Sequence, residues 1–379
     1  MAGIYVHLPF CPYICPYCDF AKWPHKASAA RRYMDALLRE IALFERERAS
    51  AHTPYDTVFL GGGTPNTYPA ADIAALLATL DRFAGAPGRE TTIEVNPELV
   101  TVDAARAYAD AGINRFSIGV QSFVPHEIAT LGRRHDPQQI AQAVHAAREA
   151  AIRSVSIDLI FGTPGQTLES WRTSLETAID LGVDHISTYG LTVESGTPYE
   201  RWQQRDPSAF PGDSFEADLY DLAIRTLESS GFEQYEISNF ARPGHASAHN
   251  RNYWANGEYA GFGVGAASYL NGVRAVHTRS LDEYTGAALS GTPIPGESEE
   301  LQGAQRAGEA IMLALRTAQG VSFAQFKERY GLDFLRDYAA VVRQYCDDGL
   351  LEVDATHARL TRSGRFVAND VCAAFVTSG

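Results

Sequence analysis

No stretch of this 379-residue chain approaches the ~20 consecutive apolar residues that a membrane-spanning helix needs. A helical membrane span is therefore excluded, whereas peripheral contact with a membrane is not. Residues 1–10 carry neither the basic start nor the long apolar stretch of a signal peptide, so export is not expected. Cysteine is scarce: five residues, an odd number, with three crowded into one loop. Such a set does not make a disulfide framework and fits a reducing, cytoplasmic setting. Positive charge is in deficit. Lys and Arg total 32 against 46 Asp and Glu, and the resulting net charge of −14 disfavours a nucleic-acid partner. Low-complexity tracts and internal repeats are missing too, apart from a βα rhythm.

That rhythm is what the first half does contain. Strand-like runs fall at Ile4–Leu8, Thr57–Leu60, Thr92–Val95, Arg115–Val120, Ser154–Phe161 and His185–Leu191. Between them apolar residues recur at helical spacing, as in Tyr33, Leu37, Ile41 and Phe44, or Trp171, Leu175 and Ile179. Thr167 and Gly182 are expected to cap the last of these helices. Six βα units predict an α/β fold with a parallel sheet, its strands buried on both faces. Six are too few for the eight-stranded barrel, so the expectation is an open, partial (β/α)6 barrel with its chemistry at the C-terminal strand ends. After Leu191 the pattern changes. A helix is expected from Asp213, with Glu216 completing a capping box and Gly231 ending it. From about residue 300 the order is helix, short helix, helix, hairpin, helix. This outlines a smaller, mostly helical, winged-helix-like domain, and its near balance of acids and bases favours a structural or lid role over DNA binding. The expected division is 1–235 for the barrel core, 236–298 for a connecting segment and 299–379 for the C-terminal domain.

Cys11, Cys15 and Cys18 stand within eight residues, C-P-Y-I-C-P-Y-C, directly after the first strand. Three thiolates on one loop are one fewer than a structural zinc or an ordinary cubane cluster needs. They suffice for three irons of a [4Fe-4S] cluster whose fourth iron stays open to a small molecule. A zinc knuckle with a distant fourth ligand, or cysteines buried together, would also fit the spacing. Gly61-Gly62-Gly63-Thr64-Pro65 follows the second strand, either as a tight βα turn or as a segment that lets a ligand approach the backbone. Glu94 and Asp158 are carboxylates inside apolar strands, which is costly unless they are paired or used. Gln121 ends the fourth strand and Arg133 follows it. An amide reads hydroxyls and a guanidinium fork suits a carboxylate, but taken alone each residue reads better as a loop residue or surface cation.

In order, I-Y-V-H-L-P-F-C, G-G-G-T-P, E-V-N-P, G-V-Q-S-F, L-G-R-R-H and D-L-I-F-G-T-P-G-Q-T make a known series. Over nearly its whole length the chain resembles the oxygen-independent coproporphyrinogen III oxidase-like branch of the radical S-adenosylmethionine (SAM) superfamily. The resemblance implies a [4Fe-4S] cluster on Cys11, Cys15 and Cys18, with SAM chelating the open iron. It places Tyr5 beside the cluster, and Gly62, Gly63, Thr64, Glu94, Gln121, Arg133 and Asp158 against SAM. It also implies a reductant such as flavodoxin or ferredoxin.

Two departures separate this chain from the enzyme of that branch. The enzyme has a fourth cysteine two residues beyond the third, where this sequence has Phe20, and a long N-terminal arm, where this cysteine loop begins at residue 11. Conversely, His249-Asn250-Arg251-Asn252-Tyr253-Trp254 matches the H-N-x-x-Y-W motif of the branch's haem chaperones. That likeness implies haem as cargo, with His249 a candidate iron ligand and Tyr253 and Trp254 facing the macrocycle. Without the likeness, His249 reads as a hydrogen-bonding loop residue. The leading expectation is a haem chaperone that passes haem to haem proteins of the respiratory chain. A radical enzyme that decarboxylates coproporphyrinogen III is the second, and a non-catalytic zinc protein the third. Cys346 and Cys372 sit on apolar helix faces and are expected to be buried spares. His7, His135, His185 and His245 are expected to be structural.

Overall fold

Six parallel strands follow one another in chain order through the middle of a 12-stranded sheet. They are β1 (Ala2–Leu8), β2 (Thr57–Gly62), β3 (Glu90–Val95), β4 (Arg115–Gln121), β5 (Ser154–Phe161) and β6 (His185–Gly190). The computed structural model describes residues 1–47, 55–84 and 88–377. Ile4, Val6, Leu8, Val58, Leu60, Ile93, Ile118, Val155 and Ile157 are buried, as strands covered on both faces require. Helices such as Ala27–Glu47, Pro137–Glu149 and Leu168–Asp180 cross between strands and turn their apolar stripes inward. Thr167 caps the last of these through a reciprocal bond with Ser170, and Gly182 follows it with φ +67°.

The sheet extends further than the sequence pattern shows. Residues 236–298, expected as a connecting segment, widen it at both edges. β7 (Glu233–Glu236) and β8 (Asn239–Ala241) add on beside β6 in antiparallel sense. On the other side β9 (Glu258–Phe262) pairs parallel with β1. β10 (Ala267–Leu270), β11 (Val273–His277) and β12 (Gly296–Glu300) then continue antiparallel from it. A boundary at residue 235 thus falls within β7. The two edge strands, β7 and β12, are polar, and β8 to β11 are short, so none shows the long apolar run that marks the inner strands. The helix Asp213–Ser229 has Gly212 as its cap with no side-chain bond, so the expected capping box at Asp213 does not form.

The C-terminal domain has its own core, including Ile311, Leu315, Phe334, Val371 and Phe375, beneath a three-stranded sheet. Its expected long helix breaks at Tyr338 into Phe334–Asp337 and Ala339–Asp347. Tyr338 is buried against Phe334 and Phe375, which holds the break in place. Cys372 is buried in this core, whereas Cys346 is only half-buried; both are free thiols.

Two ends of the barrel matter for function. The C-terminal strand ends form a rim that carries the cysteine loop. The N-terminal ends form a floor that the short helix Ala248–Trp254 closes. The backbone N–H groups of Ala248 and His249 donate to the Glu90 carboxylate at the start of β3, at 3.1 and 3.0 Å. An acidic side chain at a helix start satisfies donors that would otherwise lack partners. Among the described residues no helix is long and apolar enough to cross a membrane.

Candidate functional site

The cysteine loop is tied to the barrel at several points. Thr64 N donates to Phe10 O (3.0 Å), His25 N to Cys11 O (2.8 Å), and the Lys22 ammonium to Cys18 O. His7 on β1 joins the loop from below: its Nε2 lies 2.7 Å from Ala21 O and its Nδ1 2.9 Å from the Tyr5 hydroxyl. All three thiols are free and half-buried. Burial pushes the Cys11 thiol up to about 11 and raises Cys18 as well. Neutral thiols are thus favoured until a positive centre compensates, which is what metal ligation supplies. Among the described residues no set of three or more His, Cys, Asp or Glu side chains converges as ligands of one ion do. Thiols that each hold a different iron of one cluster need not converge on a single point.

A cavity of about 530 Å³ opens beneath the loop, within the range of small-molecule sites. Cys11, Cys15, Cys18, Gly62, Gly63, Thr64, Glu94, Gln121, Arg133 and Asp158 all line it. The fold therefore brings together every rim residue expected from the sequence except Tyr5. Tyr5 does not line this cavity: it stacks on Phe59, bonds His7 and lines a neighbouring groove with Asp19 and Phe20 of the loop. Gly62 has φ +105°, and a side chain there would collide with the His7 ring, so the turn requires glycine. Its N–H donates to Glu94 Oε2 at 2.9 Å. Burial, reinforced by the neighbouring Asp158 charge, pushes the Glu94 carboxyl up to about 7. Asp158 is raised by burial too, against the hydroxyls of Ser187 (2.7 Å) and Ser117 (2.9 Å) that donate to it.

Arg133 crosses from the far side of the rim. Its Nη2 donates to Asn96 Oδ1 at 2.8 Å and to Gly119 O, and its Nη1 stands 3.9 Å from Cys15 Sγ. Its Nε is buried without a partner. A guanidinium with an unused donor beside acids of raised pKa fits a zwitterionic ligand that carries both ammonium and carboxylate. Gln121 holds φ +66°, rare outside glycine, at a bulge opposite β5. Strain of this kind persists where the surroundings impose it, typically at ligand sites. Below it Glu127, fully buried, accepts from Ser122 Oγ (2.7 Å) and Gln166 Nε2 (3.0 Å), joining the loops after β4 and β5.

Several contributors escaped the sequence reading. Tyr13 lies between the first two cysteines and donates to Glu98 Oε1 at 2.8 Å. Asn96 orients Arg133, and Asn66 locks Asn96 through paired bonds of 3.0 and 3.1 Å. The signal for both lay in the letters after the motifs, N after GGGTP and N within EVNP.

The H-N-x-x-Y-W residues are not brought together on one face. His249 lies in the barrel floor, buried, with Nδ1 2.8 Å from Thr57 Oγ1 and Nε2 2.8 Å from the Tyr253 hydroxyl. Its ring stacks on Phe59 at 5.2 Å, and Gly3 is needed to let it approach β1. Trp254 instead faces the C-terminal domain under the Arg316 guanidinium. Both ring nitrogens of His249 are occupied, so as folded it is a neutral bridge of the floor between Thr57 and Tyr253, and ligating iron would require it to give up one of these bonds. His135 and His185 are likewise buried and hydrogen-bonded.

Burial pushes His249 down to about 3, against about 6.5 in an unfolded chain. Between those values the unfolded state binds the extra proton, so the stability this residue confers is full above pH ~6.5 and is lost as pH falls toward 3. His249→Ala is expected to cost about 1–3 kcal/mol at neutral pH, from the two orphaned partners. The gap between the wild-type and variant melting curves should close on the acid side. Parallel curves of Tm against pH would contradict this role.

Comparison with known proteins places this geometry. The Radical SAM superfamily profile matches residues 5–178, and the HemN C-terminal domain profile matches 301–367. The chain is 33% identical over 379 residues to the haem chaperone HemW of Bacillus subtilis, covering 99% of each. It is 38% identical over 335 residues to HemW of Synechocystis, covering 85% of this chain and 79% of that one. Among solved structures, coproporphyrinogen III oxidase (HemN) from Escherichia coli, a radical SAM enzyme, superposes with a TM-score of 0.85 at 25% identity. That match covers 99% of this chain and 90% of the enzyme.

Proposed function

Since the chain belongs to the HemW family of the radical SAM superfamily, we propose that it is a cytoplasmic haem chaperone. It binds a [4Fe-4S] cluster, SAM and haem, and delivers haem to haem proteins of the respiratory chain. The observation that carries the reading is end-to-end relatedness to a haem chaperone, 99% of both chains. Cys11, Cys15 and Cys18 would hold the cluster, and the rim cavity would hold SAM. Together these groups supply one-electron chemistry, with flavodoxin or ferredoxin as the class of donor. The protein's own part is to bind and orient. Glu94 and Asp158 offer acids to the ammonium, and Arg133 offers donors to a carboxylate or ribose oxygen. The strained Gln121 presents its amide at the mouth.

A pH dependence follows from Glu94. A bound cation favours its ionised form, so SAM affinity is expected to rise as pH increases through about 7 and the carboxyl loses its proton. Glu94→Ala or Arg133→Ala should each weaken SAM by about 1.5–3 kcal/mol, the cost of a charge-assisted hydrogen bond. Glu94→Ala should also flatten the pH profile. Calorimetry on the reconstituted protein measures both; unchanged affinity in both variants would sink the assignment.

The second reading, coproporphyrinogen III decarboxylation, is favoured by the superposition on HemN. Against it stands Phe20, 62% exposed at the place of the enzyme's fourth cysteine. Anaerobic reconstitution followed by parallel assays of haem binding and of coproporphyrinogen turnover distinguishes the two.

A further inference from the structure

Beside the cysteine loop lies a second cavity, of about 410 Å³, which shares Asp19 and Phe20 with the first. The two sites are thus neighbours across one phenylalanine. The SAM site gives that side chain no task, and it stands 62% exposed where the two cavities meet. The rest of the groove combines aromatic rings and small apolar residues with the polar side chains of His7, Asp19 and Arg279. Tyr253 and Tyr259 line it with their rings edge to face, centroids 4.5 Å apart, and His249 fixes the Tyr253 hydroxyl from the floor. Val276, 38% exposed on β11, adds an apolar patch.

One cation borders this groove. Arg279 donates to the Asp19 carbonyl and stands 3.4 Å from the Asp19 carboxylate, with both side chains about half in water. An exposed pair of this kind contributes little stability, so Arg279 can exchange Asp19 for the carboxylate of a ligand at low cost. Four aromatic side chains (Tyr5, Phe20, Tyr253 and Tyr259), an aliphatic patch and a guanidinium at the edge complement a flat, wide, apolar ligand with acidic arms. That is the chemistry of a porphyrin with propionates.

We propose that this groove seats the haem cargo, with a propionate on Arg279 and the macrocycle beside the cysteine loop, Phe20 between them. The assignment rests on the haem reading above and adds where the cargo lies. It also gives the motif tyrosine a porphyrin-facing task that the buried histidine does not have. Arg279 also contacts the cysteine loop through Asp19, so seating haem exchanges that contact, and whatever effect this has on SAM affinity is matched by an equal effect of SAM on haem affinity.

The test uses the full chain, reconstituted without oxygen, and haemin as the probe. Arg279→Gln is expected to weaken haemin roughly ten- to hundredfold, the loss of one charge-assisted contact. It should leave the affinity for haemin dimethyl ester, which lacks free carboxylates, unchanged. In Val276→Cys the introduced thiol should react with a maleimide in the free protein and be protected when haemin is bound. If the wild-type protein binds haemin, yet the introduced thiol stays reactive and Arg279→Gln binds as tightly, the groove assignment is overturned and the chaperone reading stands. If the wild-type protein binds no haemin, the chaperone reading itself falls.

Discussion

Replacing any one of Cys11, Cys15 or Cys18 by alanine is expected to strip most of the iron from anaerobically reconstituted protein. Unmodified protein should hold about four irons per cluster. The loss should be nearly complete because the loop has no spare ligand. Phe20 occupies the next position where a thiol would be expected, and Cys346 and Cys372 lie in the other domain, in and beside its core. Burial holds two of the three thiols in the neutral form, so the cluster depends on all three metal bonds to offset that cost. Cys372→Ala serves as the control and should keep its iron. Iron and sulfide analysis with EPR, before and after SAM is added, reads the outcome. A colourless protein with one tightly held zinc would sink the cluster assignment.

The second large effect is an absence of product. With reduced cluster, SAM and coproporphyrinogen III supplied together, the protein is expected to yield no protoporphyrinogen while binding haem. The fold alone does not decide this, since the chain superposes on the enzyme with a TM-score of 0.85 over 99% of its length. The expectation rests on local chemistry. An exposed aromatic ring stands where the enzyme carries a thiol, and it borders a groove built of aromatic faces. Mass analysis of the porphyrin pool settles the outcome, and repeated turnovers in the unmodified protein would reverse it.

Much of the rim was legible in the sequence because it breaks rules that apolar strands otherwise obey. Glu94 and Asp158 interrupt buried strands, and a carboxylate there needs a reason. Gly62 follows a strand at the place where the backbone must turn with positive φ. Three cysteines within eight residues are hard to read as packing. The inner strands were visible for the complementary reason: they are continuous apolar runs. What did not show was whatever depends on distant partners. β7 to β12 are short strands whose pairing is made by the barrel rather than by their own pattern. The role of His249 was hidden likewise, since only the fold brings Thr57, Phe59 and Gly3 around its ring. Phe20 was noticed as a missing thiol, but its place between two cavities is a fact of the tertiary structure.

The claim at the centre of this account is delivery, and haem transfer tests it most directly. Cluster-loaded protein carrying one haem is mixed with an apo-haem protein in the presence of a scavenger that captures free haem. The account predicts that the recipient acquires haem and regains its spectrum, at a rate that changes when SAM is present. Haem that stays bound and never reaches the recipient would contradict it, as would a protein with no haem affinity that turns over coproporphyrinogen III.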